Sequence, residues 1–176
     1  MNNLIISAIG RDRPGIVSEL TEIITKHGGN IEESRMTRLE SDFTIIMLVK
    51  VDPKWEESLA VVLQGIKDLI ITTKSTEFNT VISSENCQIL LNGADNEGIV
   101  NVLSKYLTEK SMNILDMETY ISNAPITGTP LFNLMAITTI SEETNLADIQ
   151  SDLTLIAQKL GVEISINQSE HVVETA

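Results

Sequence analysis

One segment of this chain is written twice. Gly10 to Met36, GRDRPGIVSELTEIITKHGGNIEESRM, returns 83 positions later as Gly93 to Thr119, GADNEGIVNVLSKYLTEKSMNILDMET. Nine positions are identical: Gly10/Gly93, Asp12/Asp95, Gly15/Gly98, Ile16/Ile99, Val17/Val100, Leu20/Leu103, Thr25/Thr108, Asn30/Asn113 and Ile31/Ile114. A repeat of this length sets the domain plan before any other feature does. The 176 residues divide into units 1–83 and 84–168, with 169–176 as a C-terminal tail. Each unit is small enough to bury only about two thirds of its unfolded surface, so it is expected to lean on its twin or on a second chain.

Within the first unit, Leu4 to Ile9 is a short apolar run that reads as a buried strand. The segment GRDRPGIV then combines a turn with Pro14 at the expected first position of a helix. Ile16, Leu20, Ile23, Ile24 and His27 follow at helical spacing, and Gly28-Gly29 stop the helix. Ile31 to Arg38, of mixed polarity, suits an edge strand; Leu39 to Asp42 makes a turn; FTIIMLVKV, 43–51, is the strongest strand. Asp52-Pro53 opens a second helix with Trp55, Leu59, Val62, Leu63, Ile66 and Leu69 or Ile70 as its stripe, and residues 71–82 form a closing strand. Ser83 to Asn86 is a polar joint.

The second unit repeats the order: strand 88–92, helix 97–110, strands 113–122 and 131–140, helix 146–160, strand 162–168. Its hairpin, NAPITGTP from Asn123 to Pro130, is six residues longer. The order βαββαβ predicts an α+β, ferredoxin-like fold: a four-stranded antiparallel sheet with two right-handed helical crossovers placing both helices on one face. The strands are apolar on the other side too, so packing between the halves or homo-oligomerisation is expected.

The net charge of -13 argues against direct binding to a nucleic acid backbone. All four arginines, Arg11, Arg13, Arg35 and Arg38, bracket the first turn and strand, either as an anion site or as a solvated rim. No apolar run approaches the roughly 20 residues of a membrane span and no leader pattern opens the chain, so a cytoplasmic location is expected. Cys87 is alone and reads as a small filler or a linker thiol; His27 and His171 lack ligand spacing. No catalytic, metal or cofactor motif is present, and the adjacent Glu32 and Glu33 face opposite ways on a regular strand.

The turn before each unit's first helix is the candidate site. Free N–H groups and the helix dipole there favour an anion such as an α-carboxylate. Asp12 and Asp95 offer an acceptor for an ammonium, and Asn30 and Asn113 a donor and an acceptor. The same residues also suit purely local work: glycines for the turn and close helix approach, Asp for backbone hydrogen bonds, Asn for a left-handed exit from a helix.

The βαββαβ order with DRPGIV before the first helix and GNI before the second strand resembles the ACT domain. GRDRPGIV, GGNIEESRM and FTIIMLV, with the second unit's PITGTPLF, resemble the glycine cleavage system transcriptional repressor family, tandem ACT pairs of about this length. That resemblance implies a non-enzymatic regulator binding an amino acid, with glycine as the candidate. Its partner would be a regulator protein of the LysR type, and it would not bind DNA itself. It also implies a ligand set of Asp12, Pro14, Gly15, Ile16, Asn30 and Ile31, with Asp95, Gly98, Ile99, Asn113 and Ile114 in the second unit. Glu97 in place of Pro14 departs from the pattern and would repel a carboxylate. A trans-acting regulatory subunit of an amino-acid enzyme, or a ligand-free dimerisation module, are the alternatives.

Overall fold

The computed structural model describes residues 1–77, 85–141 and 144–169, which form two compact units, one from each half of the chain. The first contains β1 (Asn2–Arg11), α1 (Ile16–Lys26), β2 (Asn30–Leu39), β3 (Asp42–Val51), α2 (Pro53–Gln64) and β4 (Leu69–Thr76). The second contains β5 (Glu85–Ala94), α3 (Ile99–Glu109), β6 (Ile114–Asn123), β7 (Pro130–Ile140), α4 (Leu146–Leu160) and β8 (Val162–Ser169). Each sheet is antiparallel, in the order β2-β3-β1-β4 and β6-β7-β5-β8. Both units are ferredoxin-like, as the repeat and its element order predict.

Alternation along the central strands decides which face is covered. Leu4, Ile6 and Ala8 of β1 and Ile45, Met47 and Val49 of β3 meet Ile16, Leu20 and Ile24 of α1 and Leu59 and Leu63 of α2 in one buried cluster. A period of two on the strands and of 3.6 on the helices thus present two apolar faces to each other. The second unit repeats this with Ile89 and Leu91, Leu134 and Ala136, Leu103 and Leu107, Ile149 and Leu153. Each fully buried Leu or Ile contributes about 1.5–3 kcal/mol. Cys87 is buried in this core and burial raises its thiol pKa, so the filler role holds and the linker-thiol reading does not.

Several boundaries shift for identifiable reasons. Pro14 lies outside α1, because Gly15 is left-handed (φ 94°) and the first helical position becomes Ile16. Gly98 (φ 84°) likewise moves the start of α3 from 97 to Ile99. Helix α2 closes at Gly65, so Ile66 is buried beyond its end, and Leu69 and Ile70 belong to β4. Residues 78–82 of the expected closing strand, Ser83 and Ser84 of the joint, and 170–176 of the tail lie outside the described residues. In the long hairpin, the Ala124 N–H donates to Thr129 O and the Gly128 N–H to Ala124 O, leaving Ile126 98% exposed at the tip. Among the described residues no helix is long and apolar enough to cross a membrane.

Gly10 and Gly93 end the two first strands where the last strand of each unit crosses closest. A Cβ on Gly10 would sit 2.2 Å from the Asp68 carbonyl oxygen, and one on Gly93 2.7 Å from Val162 Cα. Gly10→Ala and Gly93→Ala are each expected to destabilise the unit that contains them by about 1–3 kcal/mol, the usual cost of overpacking against atoms that cannot move aside. Urea denaturation followed by circular dichroism checks this; unchanged midpoints would contradict it.

Candidate functional site

The two turns are built alike. Strand β1 leaves the sheet after Arg11, the Asp12 N–H donates to Ser41 O (2.8 Å), and the chain reaches Gly15, whose carbonyl accepts the first helical bond from Glu19 N–H and a second from the Ser18 hydroxyl. Neither α1 nor α3 receives a side-chain cap, whereas Asp52 caps α2 through Lys54 N–H and Asn145 caps α4 through Ala147 N–H. The first-turn N–H groups of α1 and α3 therefore open beside exposed turns, Asp12 to Gly15 and Asp95 to Gly98, where positive helix-end potential meets solvent.

The side chains around the first turn are mostly committed to each other. Arg13 pairs with Glu19 (2.5 Å) and Arg38 lies 3.6 Å from the Asp12 carboxylate. Arg35, three residues earlier in β2, lies 3.7 Å from Glu33. In the second unit Asn96, in the place of Arg13, donates to Leu160 O at the end of α4 (2.8 Å). Sequence gives no sign of that contact, because its acceptor is a backbone carbonyl brought near only by the fold.

The expected ligand set does not converge within one unit. Asp12, Pro14 and Gly15 stand at the β1–α1 end, beside Asp42, whereas Asn30 and Ile31 stand where β2 begins, opposite Lys50 and Val49. Eight rungs of β3 separate those ends, about 27 Å at strand rise. Asp95 and Gly98 are parted from Asn113 and Ile114 in the same way, Asn113 being tied to Thr139 at the far end of the sheet. Ile16 and Ile99 are buried, and Ile31 and Ile114 pack against the cores, so these four side chains hold the fold. Only the backbone N–H of Ile16 and Ile99 faces the turn region.

Glu32 and Glu33 do not follow simple alternation, because β2 carries a bulge between Ile31 and Glu33, matched in β6 between Ile114 and Asp116. The bulge sends Glu32 to Lys50 (2.8 Å), where it also accepts from Asn30 (2.7 Å). The Lys50 hydrogen bond and then the Asn30 one hold the Glu32 carboxyl below its ordinary range, so it stays ionised and is unsuited to general-acid work. Among the described residues no group of three or more His, Cys, Asp or Glu is placed to hold a metal.

A depression of about 590 Å³ lies on the uncovered face of the second sheet. Leu90 and Met135 form its floor, and Asn92, Glu118, Tyr120 and Glu163 stand around it. Asn133 fixes one wall by donating to Ser122 Oγ (2.8 Å) and accepting from Asn92 (2.6 Å). Sequence reasoning missed this hollow, since it depends on four strands in register.

Residues 2–74 match the family model of the ACT domain. Over 46 residues the chain is 50% identical to the glycine cleavage system transcriptional repressor of Escherichia coli, covering 26% of this chain and 24% of that protein. Over 51 residues it is 43% identical to a UPF0237 protein of Methanococcus maripaludis, 29% of this chain and 57% of that one. The matched segments thus span about a quarter and rather more than half of those relatives' lengths. A solved structure of an unknown protein from Galdieria sulphuraria superposes with a TM-score of 0.81 at 26% identity, covering 96% of this chain and 98% of that one. That of a candidate glycine cleavage system transcriptional repressor does so with 0.69 at 22% identity, covering 97% and 98%, a likeness of fold.

The Glu32 contacts give a pH prediction. A carboxyl whose folded pKa is lowered contributes stability above its unfolded pKa and loses it as pH falls through the folded value. The Glu32 side-chain carboxyl resonance is expected to titrate below the ordinary value of 4.5, and Lys50→Met to move it upward. Carbon-detected NMR titration of both proteins is the check; an unmoved midpoint on removing Lys50 would contradict the assignment.

Proposed function

We propose that this chain, two ACT-fold domains in tandem, is a non-enzymatic cytoplasmic regulator that binds an amino acid, glycine being the first candidate, and acts through a partner regulator protein, without touching DNA itself. The observation that carries this reading is the pair of uncapped helix N-termini, each opening at an exposed turn with an aspartate, in a chain half-identical to a glycine cleavage repressor over 46 residues. A ligand carboxylate would take the N–H groups of the first α1 turn, and its ammonium the Asp12 carboxylate. Arg13 is held by Glu19, so the N–H groups carry the carboxylate. Arg38 at 3.6 Å, exposed, is a weak competitor for Asp12.

The separation of Asn30 from the turn also has a use. Strand β2 is an almost wholly exposed edge. Pairing it antiparallel with β2 of a second copy would set Asn30 of one copy beside Leu39 of the other, next to that copy's turn. Both halves of the expected ligand set then meet around one molecule. The net charge of -13 supports action through a protein partner, since a nucleic acid backbone repels such a surface.

A thermal-shift screen against the twenty amino acids tests the reading: a ligand at 100 times its Kd adds about 2.7 kcal/mol of apparent stability. Asp12→Ala is expected to weaken the best ligand by roughly 10- to 100-fold, the loss of a charged hydrogen bond of about 1.5–3 kcal/mol. Asp95→Ala should do much less, because Glu97 already disfavours a carboxylate at the second turn. Calorimetric titration of both variants, each retaining the parent's circular dichroism, decides it; the reverse ranking would place sensing in the second domain. Pure protein should also leave duplex DNA unshifted in a gel at physiological salt.

A further inference from the structure

The hollow on the second sheet is made of two neighbouring rungs. Strand pairing sets Glu118, Met135, Leu90 and Ser165 side by side across β6, β7, β5 and β8. Two residues along each strand, it sets Tyr120, Asn133, Asn92 and Glu163 side by side in the same order. Positions two apart on a strand share a face, and all of these residues line the hollow. The outer strands therefore close its two ends, with Glu118 beside Tyr120 on β6 and Glu163 beside Ser165 on β8. Three strand spacings, about 14 Å, separate those ends. Between them Leu90 (41% exposed) and Met135 make an apolar floor, and the Asn92 and Asn133 amides, bonded to each other, make a polar one.

What this hollow offers is negative charge and hydrogen-bond acceptors. Asn133 spends its N–H groups on Tyr120 O, Ser122 Oγ and Leu131 O. Asn92 gives its N–H to Asn133, so its own amide oxygen remains as an acceptor. No Lys, Arg or His is among the described residues that line the hollow, and neither Glu118 nor Glu163 makes a side-chain ion pair or hydrogen bond with another described residue. Glu19, Glu32 and Asp152, by contrast, are each held by a cation. The first domain supplies an internal comparison. Its equivalent rungs read Arg35, Ile46, Ser7 and Thr72, then Thr37, Thr44, Ile9 and Ile70. Every position differs, and both carboxylates are gone, one of them replaced by Arg35. The helix-facing neighbours Leu91, Leu134 and Ile164 remain apolar as Ala8, Ile45 and Ile71. The fold thus demands the inward residues and leaves the hollow's set free for another use.

We propose that the hollow is a binding site for a linear aliphatic polyamine, separate from the two turns and independent of what they bind. One terminal ammonium takes the Glu118 carboxylate with the Tyr120 ring beside it, and the other takes Glu163. The methylene stem lies over Leu90 and Met135, and an inner amine donates to the Asn92 amide oxygen. Placing the two carboxylates at opposite ends selects an extended ligand charged at both ends, since a monoamine reaches only one of them. The volume of 590 Å³ lies within the range of about 300–1,000 Å³ usual for small-molecule sites. A chain of net charge -13 also draws polycations toward itself.

The test is calorimetric titration of spermidine, a linear triamine, into the full chain at about 50 mM salt, where exposed charges are screened less. Saturable binding is expected, and Glu118→Gln combined with Glu163→Gln should raise Kd by about tenfold or more. Glu57→Gln combined with Glu109→Gln removes the same charge from exposed positions on α2 and α3 and should leave Kd within about twofold. Butylamine, with one ammonium, should bind at least about tenfold more weakly than spermidine. In NMR spectra of the parent, spermidine should move the backbone amides of Leu90, Asn92 and Met135, a reading that does not depend on any variant. Circular dichroism matching the parent shows that the isosteric Gln variants are folded. Absence of saturable binding, equal losses in the two double variants, butylamine as tight as spermidine, or shifts confined to other residues would each overturn the proposal. So would a tri-lysine peptide that moves those amides where spermidine does not, which would make the hollow a protein-docking face.

Discussion

The packing of helix α1 onto strand β1 is the contact on which the rest of each domain depends. Ile16, Leu20 and Ile24 descend on Leu4, Ile6 and Ala8, and that stripe fixes where the helix begins and how its N-terminus is aimed. Gly10 allows β1 to end hard against Asp68 and Leu69, and Gly15 turns the backbone through a left-handed step into the helix. The candidate turn is the corner joining these two constraints. Its N–H groups are uncapped because the residue at the cap position is a glycine, chosen by backbone geometry, which brings no side chain to satisfy them.

Covering one face of a sheet leaves the other, and here that remainder is not neutral. A lone domain of this size buries little, so apolar residues such as Ile46 and Leu90 on an open face are costly unless something meets them. The halves differ in how their open faces are rimmed: cations predominate on the first and carboxylates on the second. The repeat gives the protein one fold twice, and the outward-facing positions of the two copies differ in charge. The turns diverged likewise, Arg13 turning to Glu19 while Asn96 ties the second turn to α4.

Much of the architecture was legible in the residues alone. The 83-residue repeat, the alternation of Leu4, Ile6 and Ala8, and the helical spacing of Leu146, Ile149, Leu153 and Leu160 each report a local period, and local periods set element type and order. Both helices begin two residues later than Pro14 and Glu97, the positions that local sequence favours, because Gly15 and Gly98 take a left-handed φ that no helical position has. The family likeness was likewise carried by short contiguous strings.

What the sequence could not determine is anything that depends on which end of a strand a residue occupies once the sheet has formed. Asp12 and Asn30 are eighteen positions apart and look like neighbours flanking one helix, yet that helix spans the sheet and delivers them to opposite ends. The hollow between Leu90, Tyr120, Met135 and Glu163 joins four strands whose register is set by long-range pairing. Glu32 finds Lys50 only because a bulge breaks the alternation that a linear reading assumes. Sequence by itself determined the fold and its duplication, since these follow from periodicity within short windows. Tertiary structure alone decided which candidate residues share a site, since that follows from strand register.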